Sequence, residues 1–162
     1  MVSSTLPETL DNCVDEIIQA IRSMCDLELH EVQVHGDFYS GNLKAMDGRI
    51  TAIFDWDETR VEWRAWEIGR AAWEFCKTAN GTLDPDAAVD FVEAYIGAGA
   101  GISHTEKNAL VTLMRADILW GVLYSFGHAQ REVDAERGIA MDWDYHIDQL
   151  AAMERLREIH LF

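Results

Sequence analysis

The stretch VHGDFYSGNLKAMDGRITAIFDWDE gathers Asp37, Asn42, Asp55 and Asp57 within a short length of chain. Carboxylates with a single amide are a poor set for Zn²⁺, which prefers His and Cys. They suit Mg²⁺, which is usually held by one or two carboxylates together with substrate phosphates. A carboxylate that the metal does not need can act as a base. That division of labour serves phosphoryl transfer, in which one Asp orients a hydroxyl while an Asn and another Asp hold Mg²⁺.

Something must hold these side chains together. Asp47-Gly48 is a strong two-residue hairpin signal, because both central residues of a type I′ turn need positive φ. Strands are expected over about 42–46 and 49–55. With the turn at Asp47-Gly48, Asn42 lies opposite Ile53, and Asp55 points to the same face by the period of two. Their Cβ atoms would then be diagonal neighbours, about 7–8 Å apart or somewhat less. Asp37 lies in a Gly-containing loop just before and would approach the same point.

The rest of the pattern is helical. Thr5-Leu-Pro-Glu8 starts a helix whose apolar stripe is Leu10, Val14, Ile17, Ile21 and Met24. Val32 and Val34 are β-like. A second helix is expected over about 64–78, ended by Asn80-Gly81. Asp84-Pro85 opens a third, with Gly97 at its end. Ser103-His-Thr-Glu106 is a capping box opening a fourth, apolar on most sides and so read as the buried central helix. A last helix is expected from about Asp144 to His160, with Ile147, Leu150, Met153 (or Leu156) and Ile159 inward. The fold class is therefore α+β, mainly α-helical, one domain over residues 1–162 carrying one short β-hairpin. Trp63, Trp66, Trp73 and Trp120 read as core or interface residues.

Composition narrows the function. The 162 residues carry a net charge of −16, which repels phosphate backbones and argues against nucleic-acid binding. No apolar run approaches the ~18 residues that a membrane span needs. The N-terminus lacks a basic, apolar leader pattern, and Cys13, Cys25 and Cys76 form no C-x-x-C pair. The expected location is cytoplasmic, with reduced thiols. Acidic Asp57, Glu58 and Glu62 would attract a cationic acceptor, or simply form a solvated loop.

HGDFYSGN resembles the catalytic loop H-G-D-x-x-x-x-N of the aminoglycoside, choline and homoserine kinases, which share a protein-kinase-like fold. IFDWDE, with Asp55 13 positions after Asn42, resembles that family's metal-binding segment. WRAWEIGRAAWEF resembles the helix that follows, where the family usually has Asp in a D-L-A pattern and this chain has Glu67. DPDAAVDFVEAYIGAG and the Trp-containing central helix look more like the homoserine-kinase-like branch. The resemblance covers about residues 8–160. It implies a C-terminal kinase lobe, with Asp37 as catalytic base and Asn42 and Asp55 as Mg²⁺ ligands. His35 would brace the loop, and so would Glu67. Asp57 is left between a supporting role and an acceptor contact.

Only 34 residues precede His35, and the chain contains no G-x-G-x-x-G and no Walker-type phosphate loop. The lobe that cradles ATP is therefore expected to be missing, and ATP binding to require that it be supplied. The leading expectation is an ATP- and Mg²⁺-dependent phosphotransferase lobe acting on a small-molecule hydroxyl. A kinase-like remnant serving as a binding module is the alternative, and a carboxylate-based Mg²⁺ hydrolase comes third. Losing the covering lobe would bare Leu10, Ile17, Ile18, Ile21, Leu43 and Ile53, so a homodimer is expected.

Overall fold

The computed structural model describes residues 6–129 and 143–162. Helix α1 (Leu6–Met24) leads into strand β1 (Glu31–Val34), a 3₁₀ turn (Ser40–Asn42), and strands β2 (Leu43–Met46) and β3 (Arg49–Ile53). A second 3₁₀ turn (Trp56–Glu58) and strand β4 (Arg60–Trp63) follow. Helices α2 (Arg64–Phe75), α3 (Pro85–Gly97), α4 (His104–Ala129) and α5 (Trp143–Arg155) complete the described chain, with a closing 3₁₀ turn at Leu156–Glu158. No described helix is long and apolar enough to cross a membrane.

The local signals translate directly into structure. Asp84 Oδ1 accepts the Ala87 N–H at 3.1 Å and Pro85 takes the first helical position. Ser103 Oγ accepts the Glu106 N–H at 3.1 Å, and Glu106 Oε2 accepts the Ser103 N–H at 2.8 Å, closing the capping box. The same carboxylate takes a two-pronged bond from Arg64 at 3.2 and 2.6 Å, which ties the start of α4 to the start of α2. Glu106 is fully buried, so this pair replaces its lost water.

Helix α4 is the central post, with α1, α2 and α5 packed around it. Leu110, Leu113, Met114 and Val122 of α4 are fully buried with Val92, Met153 and Leu156. Gly69 lets α2 approach closely: a Cβ there would stand 3.1 Å from the Leu110 carbonyl oxygen. Helix α1 is fastened to α4 and to the C-terminal segment by charge, and to α5 by a thiol. Glu16 pairs with Arg115 at 2.8 Å and with Arg157, and the buried Cys13 thiol donates to Glu154 Oε1 at 3.2 Å. The three cysteines are free; Cys13 and Cys76 are buried and Cys25 is exposed.

Several expectations need correction. The hairpin is joined by a second two-stranded sheet, because β4 pairs antiparallel with β1. The hairpin register also shifts. Met46 faces Arg49 and Ala45 faces Ile50, but Lys44 faces Ala52 and Leu43 faces Ile53, so a bulge at Thr51 displaces the ladder. Asn42 is thus not opposite Ile53. Helix α2 stops at Phe75, where Lys77 bridges to Leu83 instead of continuing the helix. The last helix ends at Arg155 rather than near His160. Ile147 is exposed, and His146 and Ala152 take inward places on α5. Of the tryptophans read as core or interface, Trp73 is buried in the core and Trp120 is 64% exposed, which removes only the core alternative for it. Ile17 is buried at 4% in the core, while Ile18 and Ile53 do lie exposed. Leu10 falls outside the residues whose side chains are described.

Candidate active site

The loop from His35 to Asn42 is held from three sides. Gly36 has φ +84°, and a Cβ there would come within 2.2 Å of the Glu58 carbonyl oxygen, so only glycine fits. Glu67 of α2 reaches up and accepts the His35 N–H through Oε1 and the Gly36 N–H through Oε2, both at 2.8 Å. His35 is buried. Its Nδ1 accepts the Asp37 N–H at 3.3 Å, so Nε2 carries the ring proton and donates to the Phe54 carbonyl at 2.7 Å. Its ring packs against Trp56 at 4.6 Å between centroids.

Asn42 is buried, and its Nδ2 donates twice: to the Asp37 carbonyl at 2.8 Å and to Asp37 Oδ2 at 2.9 Å. Its backbone carbonyl accepts the Phe54 N–H at 2.8 Å, which ties the loop to the end of the hairpin. Because Nδ2 is engaged with Asp37, Oδ1 is the amide atom able to face a cation.

Arg70 completes the grip on Asp37. Its Nη2 donates to Asp37 Oδ1 at 2.6 Å and its Nη1 to the Gly36 carbonyl at 2.9 Å. Behind it, Asp117 of α4 places Oδ2 3.8 Å from Arg70 Nε, and Asp117 Oδ1 accepts the Trp66 indole N–H at 3.2 Å. Burial raises the Asp117 carboxyl above its ordinary pKa, and the Arg70 charge and Trp66 bond offset only part of that rise. Sequence reading missed both residues. Arg70 lies one helical turn after Glu67 on the same face of α2, a spacing that was available. Asp117 comes from a distant helix and carries no local signal.

The structure brings His35, Asp37, Asn42 and Glu67 together. Asp55 follows directly on the Phe54 that bonds Asn42, but it is not a ladder residue. It is exposed, with φ 58° and ψ 64°, and it caps the Trp56–Glu58 turn. The same-face argument for Asn42 and Asp55 therefore fails: Asn42 ends a 3₁₀ turn and Asp55 lies beyond the end of β3. Asp57 is exposed. Among the described residues no group of three or more His, Cys, Asp or Glu is arranged to hold a metal ion. The oxygen donors of Asn42 and Asp55 fit Mg²⁺ in type, as a partial set of the kind that Mg²⁺ completes with phosphate and water.

Two cavities flank the loop. One, of about 640 Å³, runs from Asp37 and Gly36 to α4 and is lined by Glu58, Glu62, Trp66, Asp117, Trp120 and Tyr124 together with Arg60 and Arg70. The Trp120 and Tyr124 rings are exposed, with centroids 6.5 Å apart. The other, of about 550 Å³, is apolar and lies under the hairpin among Val34, Phe38, Leu43, Ile53, Ile68 and Phe75.

A helical lobe with a small hairpin and a glycine-bearing Asp-Asn loop belongs to a kinase-like class of fold. A solved structure supports that class: the choline/ethanolamine kinase family protein from Mesorhizobium loti matches with a TM-score of 0.73 at 18% identity. The match covers 98% of this chain and 49% of that one, so the chain spans about half of that neighbour's length. The model of the phosphotransferase enzyme family matches residues 2–101, and the chain belongs to that family. No curated protein matches the chain.

Proposed function

We propose that the chain is the catalytic half of an ATP- and Mg²⁺-dependent small-molecule kinase. The observation that carries this reading is the Asp37 carboxylate, held by Asn42 and Arg70 at the wall of an acidic, aromatic cavity. Asp37 would accept the proton of the acceptor hydroxyl as that oxygen forms its bond to the γ-phosphorus and ADP departs. Asn42 and Asp55 would hold Mg²⁺, which supplies charge neutralisation at the phosphates. Glu67 and His35 keep the loop from relaxing. The apolar character of the cavity under the hairpin suits a nucleotide base. The remaining nucleotide contacts would come from sequence corresponding to the unmatched half of the neighbour.

The acceptor that this cavity favours is a cationic amino alcohol. Glu58 and Glu62 supply negative charge, and Trp120 and Tyr124 offer ring faces to an ammonium group. Asp57 does not line this cavity, so the acceptor role passes to Glu58 and Glu62.

Transfer of labelled γ-phosphoryl from MgATP to choline, ethanolamine, homoserine and an aminoglycoside tests the proposal. The expected result is label on an amino alcohol that vanishes in Asp37→Asn. For this chain alone the rate should fall well below the ordinary kinase range of about 1–100 s⁻¹. Binding of an amino alcohol without any Asp37-dependent label would favour the binding-module reading instead.

A further inference from the structure

We infer that Arg70 is a positioning residue that fixes the orientation of the Asp37 carboxylate from the α2 side. The inference rests on the reading of Asp37 as the proton acceptor. An aspartate carboxylate turns broadly about its last torsion unless neighbours hold it. Asn42 holds Oδ2 with a neutral amide at 2.9 Å. Arg70 holds Oδ1 at 2.6 Å with a charged donor, the stronger class of bond.

Arg70 also binds the loop backbone. Its Nη1 reaches the Gly36 carbonyl at 2.9 Å, so one planar guanidinium spans the backbone of one residue and the side chain of the next. That fork fixes the carboxylate relative to the loop and not merely near a positive charge. A lysine ammonium is a point charge and cannot reproduce the span.

Glu67 and Arg70 divide the work. One turn apart on α2, Glu67 takes the N–H groups of His35 and Gly36, while Arg70 gives to the Gly36 carbonyl and the Asp37 carboxylate. Asp117 faces Arg70 from α4, the helix that also carries Trp120 and Tyr124 of the acceptor cavity. The orientation of the base is thereby tied to the wall that would receive the acceptor.

Nuclear magnetic resonance of the Asn42 side-chain amide tests this without any turnover. The full chain is compared with Arg70→Met and Arg70→Lys. In Arg70→Met the Asn42 Nδ2 proton that bonds Asp37 Oδ2 should shift toward an unbonded position and exchange about tenfold faster, as expected for loss of one bond between polar groups, while the bond to the Asp37 backbone carbonyl remains. Arg70→Lys should recover part of that change. The backbone amides of His35 and Gly36 should stay protected in both variants, because Glu67 holds them. Unchanged Asn42 signals in both variants would overturn the inference. Loss of His35 and Gly36 protection alongside Asn42 would overturn it too, since Arg70 would then be a general brace. The phosphotransferase reading fails or stands on the Asp37→Asn labelling result, which this measurement does not use.

Discussion

Asp117 is the residue at this site whose titration carries a sign. Burial raises its carboxyl pKa above the ordinary 3.8, and the nearby Arg70 charge lowers it only in part. A raised folded-state value means that the folded chain binds this proton more tightly than the unfolded chain. The associated stability is fully present below the unfolded value and is lost as pH rises through the raised one. In Asp117→Asn that dependence disappears. Denaturant melts of wild type and Asp117→Asn should therefore show the wild type losing ground relative to the variant as pH climbs from below 3.8 through the raised value. A difference that stays flat, or grows with pH, would refute the assignment. Glu67 was legible in the sequence because it stands where a matching motif places a carboxylate. Arg70 was overlooked although its three-residue spacing from Glu67 puts both on one face of α2. No reading of local pattern could have found Asp117, because 47 positions of sequence and a change of helix separate it from Arg70.

Among the elements, α2 and α4 meet through Gly69. An alanine in a helix interior normally gains about 1 kcal/mol over glycine. Here the added methyl would sit 3.1 Å from the Leu110 carbonyl and 3.5 Å from Met114 Cγ, and the nearer atom is backbone that cannot step aside. Overpacking of this kind costs about 1–3 kcal/mol. Gly69→Ala should therefore be neutral or destabilising rather than stabilising, and a lowered thermal midpoint is the expected readout. The start of α4 offers a larger effect. Burial pushes the Glu106 carboxyl up, but the Arg64 bond and the Ser103 N–H outweigh it and hold the group below its ordinary 4.5. Its contribution is present above that value and disappears as pH falls through the lowered one. Removing one partner of a buried pair costs about 3–5 kcal/mol, so Arg64→Met should lose that much in urea melts at neutral pH. A loss below about 1 kcal/mol, the range of an exposed pair, would show that water replaces the arginine.

Element boundaries show where sequence pattern suffices. The starts of α3 and α4 are written in adjacent residues, a proline or a capping pair, and sequence placed both. Strand β4 escaped because Arg60–Trp63 runs straight into a helical pattern and pairs with β1, so only the fold declares it a strand. The hairpin turn was readable from Asp47-Gly48, but the bulge at Thr51 was not. A single extra residue leaves alternation on either side intact while moving Asn42 out of register.

For the whole molecule, apolar surface and charge pull in opposite directions. Ile50, Ile53, Phe54, Trp56 and Phe75 are exposed around or beside the apolar cavity under the hairpin. Contiguous patches of this kind tend to become interfaces. We propose that two copies of this chain associate through this face when neither a nucleotide nor a second lobe covers it, against a charge of −16 each that is screened only as salt rises. Sedimentation at micromolar concentration in moderate salt should give a dimer that weakens when salt is withdrawn. A clean 18.4 kDa species throughout would end the proposal.

The three free thiols make the chain its own reporter of how it comes apart. Cys25 is exposed at the end of α1 and should take an alkylating reagent at once. Cys13 is pushed up to about 11 by burial and by the Glu154 carboxylate, and Cys76 is raised by burial and by Asp84. Neither offers much thiolate or any access while packed. Cys13 becomes reactive when α1 leaves α5, and Cys76 when the junction between α2 and α3 opens. Equal labelling rates would describe one cooperative unit. Faster labelling at Cys13 would mean that the N-terminal helix peels away first and leaves the loop from His35 to Asn42 standing on α2 and α4.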